Sequence, residues 1–180
     1  MAKVSHMLIV FSGLPGTGKS TLARQLAQDG RAVYLRVDTV EAALMNAGHT
    51  GITVEGYAVE YAIAADNLKL GLNVVVDCVN PVAATRDAWA AVARQTSTPL
   101  VNVEVVCSDT GEHRRRVEAR WEDPEQHTGK WSPPGWHGLQ EYVRNYEPWQ
   151  TPRRVLDTSA GTPQDHLTAL LALLAAPQVL

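Results

Sequence analysis

The run Gly13-Leu14-Pro15-Gly16-Thr17-Gly18-Lys19-Ser20-Thr21 sets a lysine and two hydroxyls at the end of a glycine-rich turn. It follows the apolar stretch Met7-Leu8-Ile9-Val10-Phe11 and precedes Leu22-Ala23-Arg24-Gln25-Leu26-Ala27, which has helical spacing. Strand, turn of the form G-x-x-x-x-G-K-[ST], then helix is the arrangement of a phosphate-binding loop. Gly13, Gly16 and Gly18 let the backbone N–H groups of the loop, Thr17 included, face an anion, and the helix that starts near Lys19 adds its positive end. Lys19 is expected to reach the β- and γ-phosphates of a nucleotide, and the Ser20 hydroxyl to ligate Mg²⁺. Thr21 supports the helix start or touches the α-phosphate. A glycine-rich turn capping an ordinary helix would explain the glycines, but not a lysine at the helix mouth.

Further candidates lie where strands are expected to end, which is where ligands bind in open parallel sheets. Asp38 closes Tyr34-Leu35-Arg36-Val37-Asp38. It reads as a helix N-cap, with Glu41 completing a capping-box-like pattern, and equally as a carboxylate that takes a proton from a substrate hydroxyl. Arg36 stands close enough to orient Asp38 or the substrate. Asp77 follows Val74-Val75-Val76 and resembles the acid that holds Mg²⁺ through water. The alternative is a strand-end carboxylate bonded to a backbone turn. Asn80-Pro81 fits an N-cap followed by proline at the first helical position, and Asn80 is also a substrate candidate. Arg86, two turns on, reads as a solvated residue. In His113-Arg114-Arg115-Arg116-Val117-Glu118-Ala119-Arg120, Arg116 and Arg120 share one helix face. One could stack on adenine while the other grips phosphate in the transition state. A solvated face, paired with Glu112 and Glu118, is the alternative. His113, His127 and His137 lack the nearby cysteines and ligand spacing of a zinc site.

The elements that must position these groups alternate. Strands are expected at Met7–Ser12, Ala32–Val37, Leu72–Val76, Leu100–Val106 and Arg154–Leu156, and helices at Thr53–Leu70, Pro81–Arg94, Thr110–Trp121 and Pro163–Ala175, the last capped by Thr162. Strands without strict alternation are covered on both faces, and this βα alternation implies a parallel sheet. Glu122–His137 breaks the pattern with three prolines, two glycines and two tryptophans. A loop this long in a compact domain is usually functional, and it reads as a lid. Trp131 and Trp136 are candidates to close over a substrate, Trp121 and Trp149 for the core, and Asp157-Thr158-Ser159 for the border of an adenine pocket.

The chain has 180 residues, 45% apolar, with a net charge of −3. That suits one soluble domain and disfavours duplex nucleic acid as a partner. Cys78 and Cys107 end apolar runs and read as buried free thiols. No signal peptide or membrane span is expected, and a cytoplasmic location follows as the default.

On Gly13–Thr21, Arg36-Val37-Asp38, Asp77-Cys78-Val79-Asn80-Pro81 and Arg116-Val117-Glu118-Ala119-Arg120, nearly the whole chain resembles a small P-loop kinase of the nucleoside-monophosphate-kinase-like group. Within it the chain is most similar to the zeta-toxin-like and polynucleotide-kinase-like "AAA family" branch. Chloramphenicol phosphotransferase, gluconate kinase and adenylylsulfate kinase are more distant in architecture. The resemblance implies an α/β fold, a three-layer P-loop NTPase sandwich whose five-stranded parallel sheet is ordered 2-3-1-4-5. A single domain spans residues 1–180, with a lid after the fourth strand, within 122–138. It also implies that Asp38 is the base and that Arg116 and Arg120 match the Arg-x-x-x-Arg that precedes the lid in adenylate kinases. Those kinases follow the Asp at the place of Asp77 with Gly-Phe-Pro-Arg; here Cys78-Val79-Asn80-Pro81 stands instead, which leaves the acceptor open.

The expectation is an ATP- and Mg²⁺-dependent transfer of the γ-phosphoryl group to a hydroxyl of a small molecule or of a nucleic-acid 5′ end. Lys19, Asp38 and Arg120 would be catalytic, and Ser20 and Asp77 would serve the metal. Arg36, Asp38 and Asn80 would face the acceptor. An ATP-binding regulatory switch with slow hydrolysis is the alternative, and a non-catalytic fold a weaker third, since Lys19 and Ser20 are both intact. Oligomeric state is not readable from these residues.

Overall fold

Every stretch read as a strand forms one in the computed structural model, which describes residues 6–176. The strands are β1 (Leu8–Ser12), β2 (Val33–Arg36), β3 (Val74–Asp77), β4 (Leu100–Val106) and β5 (Arg154–Asp157). The helices are α1 (Lys19–Asp29), α2 (Val37–Asn46), α3 (Glu55–Lys69), α4 (Ala83–Gln95), α5 (Thr110–Glu122), α6 (Trp136–Asn145) and α7 (Pro163–Ala175). All strand pairs are parallel, in the order β2-β3-β1-β4-β5. This is the sheet that the resemblance implies.

Side-chain alternation divides the core. Leu8, Val10, Val74 and Val76 meet Tyr57, Ala64 and Leu68 of α3 and Trp89 and Val92 of α4. Ile9, Phe11, Val75, Val103 and Val105 meet Leu22 and Ala23 of α1 and Leu167 and Leu170 of α7 on the opposite face. The central strands β1 and β3 are buried along their whole length, so they carry apolar residues at successive positions. In register, Asp77 lies beside both Phe11 and Arg36. The carboxyl ends of β1, β2 and β3 are thereby brought level. α7 begins as its residues suggest, with a reciprocal Thr162–Asp165 capping box and Pro163 at the first position.

Five local expectations are corrected. β2 stops at Arg36, and α2 starts directly at Val37, so Asp38 lies in the first turn of a helix and Arg36 holds the N-cap position. There the Asp38 charge faces the positive helix end. Asn80 is not an N-cap either. It has a left-handed backbone (φ 53°), and α4 begins only after Val82. The reason is distant. Buried Arg86 donates to the carbonyls of Asn80, Pro81, Glu147 and Pro148, and Glu147 Oε2 accepts the Ala83 N–H at 2.6 Å. Arg86 is therefore the knot of this corner, not a solvated residue. Cys78 is buried, but Cys107 is only partly so, and both are free thiols. Finally, Glu122–His137 is not wholly irregular. It contains a 3₁₀ turn at Pro124–Gln126 and runs into α6, an element missed because Gly138 and a proline-rich approach obscure its period. No described helix is long and apolar enough to cross a membrane.

Candidate active site

The loop between β1 and α1 is held by its carbonyls. Leu14 O accepts from the Thr17 hydroxyl at 3.0 Å, Pro15 O lies 2.8 Å from His113 Nε2, and Thr17 O accepts from the Thr158 hydroxyl at 2.7 Å. With the carbonyls turned outward and occupied, the N–H groups of Gly16 and Gly18 have no partner among the described residues. The Thr17 N–H between them is donated to Leu14 O at 3.4 Å, so the two free glycine N–H groups beside the helix start make the candidate anion cradle, Thr17's expected contribution excepted. Two glycines are obligatory. A Cβ at Gly13 (φ 140°) would overlap the Val105 carbonyl oxygen, and one at Gly16 (φ 86°) would sit 2.5 Å from Val117 Cγ2. Lys19 is buried at the mouth of α1, its ammonium 3.5 Å from Leu14 O.

Beside the cradle, two carboxylates and two guanidiniums form a cluster. Asp38 Oδ2 accepts from Arg36 at 2.7 Å and faces Arg120 at 3.6 Å. Its Oδ1 has no partner among the described residues. Asp77 Oδ2 accepts from the Tyr34 hydroxyl at 2.8 Å and lies 3.6 Å from Arg36 Nε. The Asp77 Oδ1 is buried without a partner. Burial would lower the Arg36 guanidinium pKa, but Asp38 and Asp77 outweigh it and the net shift is upward. Burial prevails at Arg120, whose pKa is lowered. An orphaned buried carboxylate oxygen and a Ser20 hydroxyl with no bond inside the described chain suit a hydrated divalent cation. The residues present therefore fit Mg²⁺.

Two cavities of opposite character meet at this cluster. The first, about 320 Å³, is lined by Gly16, Gly18, Ser20, Thr21, Gln126 and the cations Lys19, Arg24, Arg36, Arg116 and Arg120, with no carboxylate. The second, about 450 Å³, is lined by Asp38 and Glu41 with Tyr57, Trp131, Ser132 and Tyr142 among others, and no cation. A neck of about 110 Å³ bordered by Lys19, Asp38, Glu41, Arg120 and Trp131 lies against both sets of residues. Burial, and after it the Asp38 charge, raises the Glu41 pKa to about 7.

Segment 122–138 crosses the neck and is fastened at both flanks. Asn46, at the end of α2, donates to Thr128 O at 3.1 Å and accepts from Lys130 N at 2.7 Å. His127 bridges Ser132 Oγ and Trp121 O, each at 2.9 Å. Trp131 lies under both guanidiniums, 5.8 Å from Arg36 and 5.8 Å from Arg120.

The structure thus gathers Gly16, Gly18, Lys19, Ser20, Thr21, Arg36, Asp38, Arg116 and Arg120 around adjoining cavities. Gly13 and Thr17 shape the loop from behind, and Asp77 lies beneath. Asn80 is not at the acceptor surface. It is fully buried, its side-chain NH2 donating to Ser12 Oγ at 3.0 Å and its backbone N–H to the Tyr57 hydroxyl, while its Oδ1 is buried without a partner. Arg116 lines the first cavity, but its guanidinium already holds Thr158 and Glu112. Trp136 packs edge-on against His113 instead of over the neck, and Trp121 is largely exposed. Sequence reasoning overlooked Arg24, one helical turn after Ser20 and so on the same face. It also passed over Glu41 as an acceptor-side residue, and Tyr34 and Tyr142, which no local pattern marks.

A family model described as "AAA domain" matches residues 8–130. No curated protein matches in sequence. Among solved structures, a gluconokinase from Sinorhizobium meliloti 1021 is 21% identical, covering 94% of this chain and 91% of that one at a TM-score of 0.65. The APS kinase CysC of Mycobacterium tuberculosis, solved with AMPPNP and APS, is 19% identical over 96% of this chain and 99% of its own, at 0.68. Kti12 of Chaetomium thermophilum, solved with ADP-AlF3, is 20% identical over 94% and 100%, also at 0.68. At such identities the likeness shows the fold.

Proposed function

Since the chain belongs to the AAA domain family, by a match over residues 8–130, we propose that it is an ATP-dependent phosphotransferase that moves the γ-phosphoryl group to a hydroxyl of a small molecule. The observation that carries this reading is the pair of cavities. One is cationic and built on the phosphate loop, and the other is free of cations. A narrow neck lies between them, bordered by Lys19 and Arg120 from the first and by Asp38, Glu41 and Trp131 from the second. A switch with slow hydrolysis has no use for the second cavity. Kinases among the structures of this fold, the gluconokinase and the APS kinase, agree with the assignment.

In this reading the loop N–H groups and Lys19 hold the β- and γ-phosphates, with Arg24 and Arg116 on the same side. Ser20, and Asp77 through water, would hold Mg²⁺, which when bound neutralises phosphate charge. The acceptor hydroxyl enters the neck from the second cavity. The free Oδ1 of Asp38 orients it and takes its proton as the new O–P bond forms and the bond to the β-phosphate oxygen breaks, leaving ADP. Arg36, hydrogen-bonded to the other oxygen, keeps Asp38 aimed. Lys19 and Arg120 neutralise charge on the moving group. The transition state is loose, so this electrostatic positioning outweighs proton removal. Segment 122–138 acts as the lid that keeps water from the phosphoryl group.

The test is phosphate transfer from ATP to a panel of hydroxyl compounds. Lys19→Ala is expected to abolish it. Asp38→Asn is expected to lower transfer by about 10²-fold or more while ATP affinity stays within a few-fold. Full transfer by Asp38→Asn would remove Asp38 from the chemistry, and tight ATP binding without transfer to any acceptor would favour the switch.

A further inference from the structure

The walls of the second cavity differ in kind from those of the first, and this difference speaks to the acceptor. Its lining contains two carboxylates, three aromatic rings and no lysine, arginine or histidine. Asp38 is compensated by Arg36 and Arg120, which line the first cavity, Arg120 reaching no further than the neck. Glu41, one turn further along α2, has no hydrogen-bond or ion-pair partner among the described residues, and its stem packs against Gly56. Buried Glu60 lies within electrostatic reach of it, a carboxyl group that burial keeps protonated to about pH 8. A carboxylate, phosphate or sulfate on the acceptor would enter this space with no cation in the lining and two carboxylates against it, met only by neutral donors such as the hydroxyls of Thr53, Ser132 and Tyr142. An ammonium would instead meet an unpaired carboxylate beside the rings of Tyr57 and Tyr142, away from Trp131, which already lies under Arg36 and Arg120.

Resting on the acceptor reading of this cavity, we propose that the substrate is a hydroxylated amine, an amino alcohol or amino sugar, whose ammonium is bound by Glu41 while its hydroxyl meets Asp38. Residues one helical turn apart are separated by roughly 5–6 Å, which sets the amine a few bonds from the reacting hydroxyl. The volume, about 450 Å³, equals roughly fifteen waters, room for one or two rings.

The test uses glucosamine and 2-deoxystreptamine as cationic probes, N-acetylglucosamine as the neutral match and gluconate as the anion. Binding is read by calorimetry in the presence of a non-hydrolysable ATP analogue, and transfer by ATP turnover. At least one amine is expected to bind about tenfold or more tightly than the neutral and anionic probes. Glu41→Gln, nearly isosteric and checked for folding by its melting temperature, is expected to erase that preference, and Glu41→Asp to keep part of it. Amine-selective binding without transfer would support this acceptor class and sink the phosphotransferase reading. Transfer without amine preference would do the reverse. Equal or absent binding of the amines, or a preference that survives Glu41→Gln, would overturn the inference.

Discussion

Glu60 is a carboxyl group buried inside α3 with one oxygen unpartnered, and its pKa is pushed up to about 8 by burial and then by the charges of Asp77, Asp38 and Glu41. Below its ordinary value of 4.5 it is protonated folded or unfolded. Between there and about pH 8 the unfolded chain sheds a proton that the folded chain keeps, so stability falls as pH rises through this window. Glu60→Gln is expected to match the parent near pH 4.5 and exceed it at pH 8–9 by a few kcal/mol, since each tenfold difference in proton affinity between the two states is worth roughly 1.4 kcal/mol. Denaturant midpoints across that range decide it; parallel curves for parent and variant would show Glu60 ionised in the fold. The phosphate loop was readable residue by residue because its chemistry is contiguous: the cradle, Lys19 and Ser20 lie within eight positions of Gly13. Glu60 and Glu41 were not, because what makes them unusual is the company of residues from other elements.

Elements were legible where they carry their own signals. β4 and α7 fall where the pattern places them, the latter because its cap, first proline and apolar stripe are all local. The start of α4 was misread because its N-terminal N–H is met by Glu147, 64 residues on. The turn at Asn80 was misread because Arg86 reaches four carbonyls from two chain segments and lies 4.2 Å from the Trp149 ring. Removing that guanidinium leaves carbonyls unpaired under a half-buried tryptophan. Arg86→Ala is expected to cost about 3 kcal/mol or more in a denaturant titration, and Arg86→Lys to recover little, since an ammonium cannot span the same fork. A loss below about 1 kcal/mol would mean that the corner closes without it.

At the scale of the whole molecule, the order β2-β3-β1-β4-β5 puts Arg36, Asp77 and the phosphate loop on three adjacent strand ends, the crevice where open α/β sheets bind ligands. That much followed from alternation and resemblance. The division of the crevice into a cationic and an acidic half did not, because α2, α3, α6 and segment 122–138 each contribute a wall. Asn46 links two of those walls. It holds Thr128 and Lys130 from the far end of the helix that carries Asp38 and Glu41. Two hydrogen bonds contribute about 1–3 kcal/mol, enough to bias the proposed lid toward closure by roughly fivefold to a hundredfold. Asn46→Ala is expected to raise acceptor-free ATP hydrolysis several-fold relative to transfer, both read in one assay. An unchanged ratio would show that the segment does not exclude water. The clasp bears no catalytic group, yet in the proposed reaction it would set fidelity: the proportion of each nucleotide's phosphoryl groups delivered to the intended alcohol and not leaked to solvent.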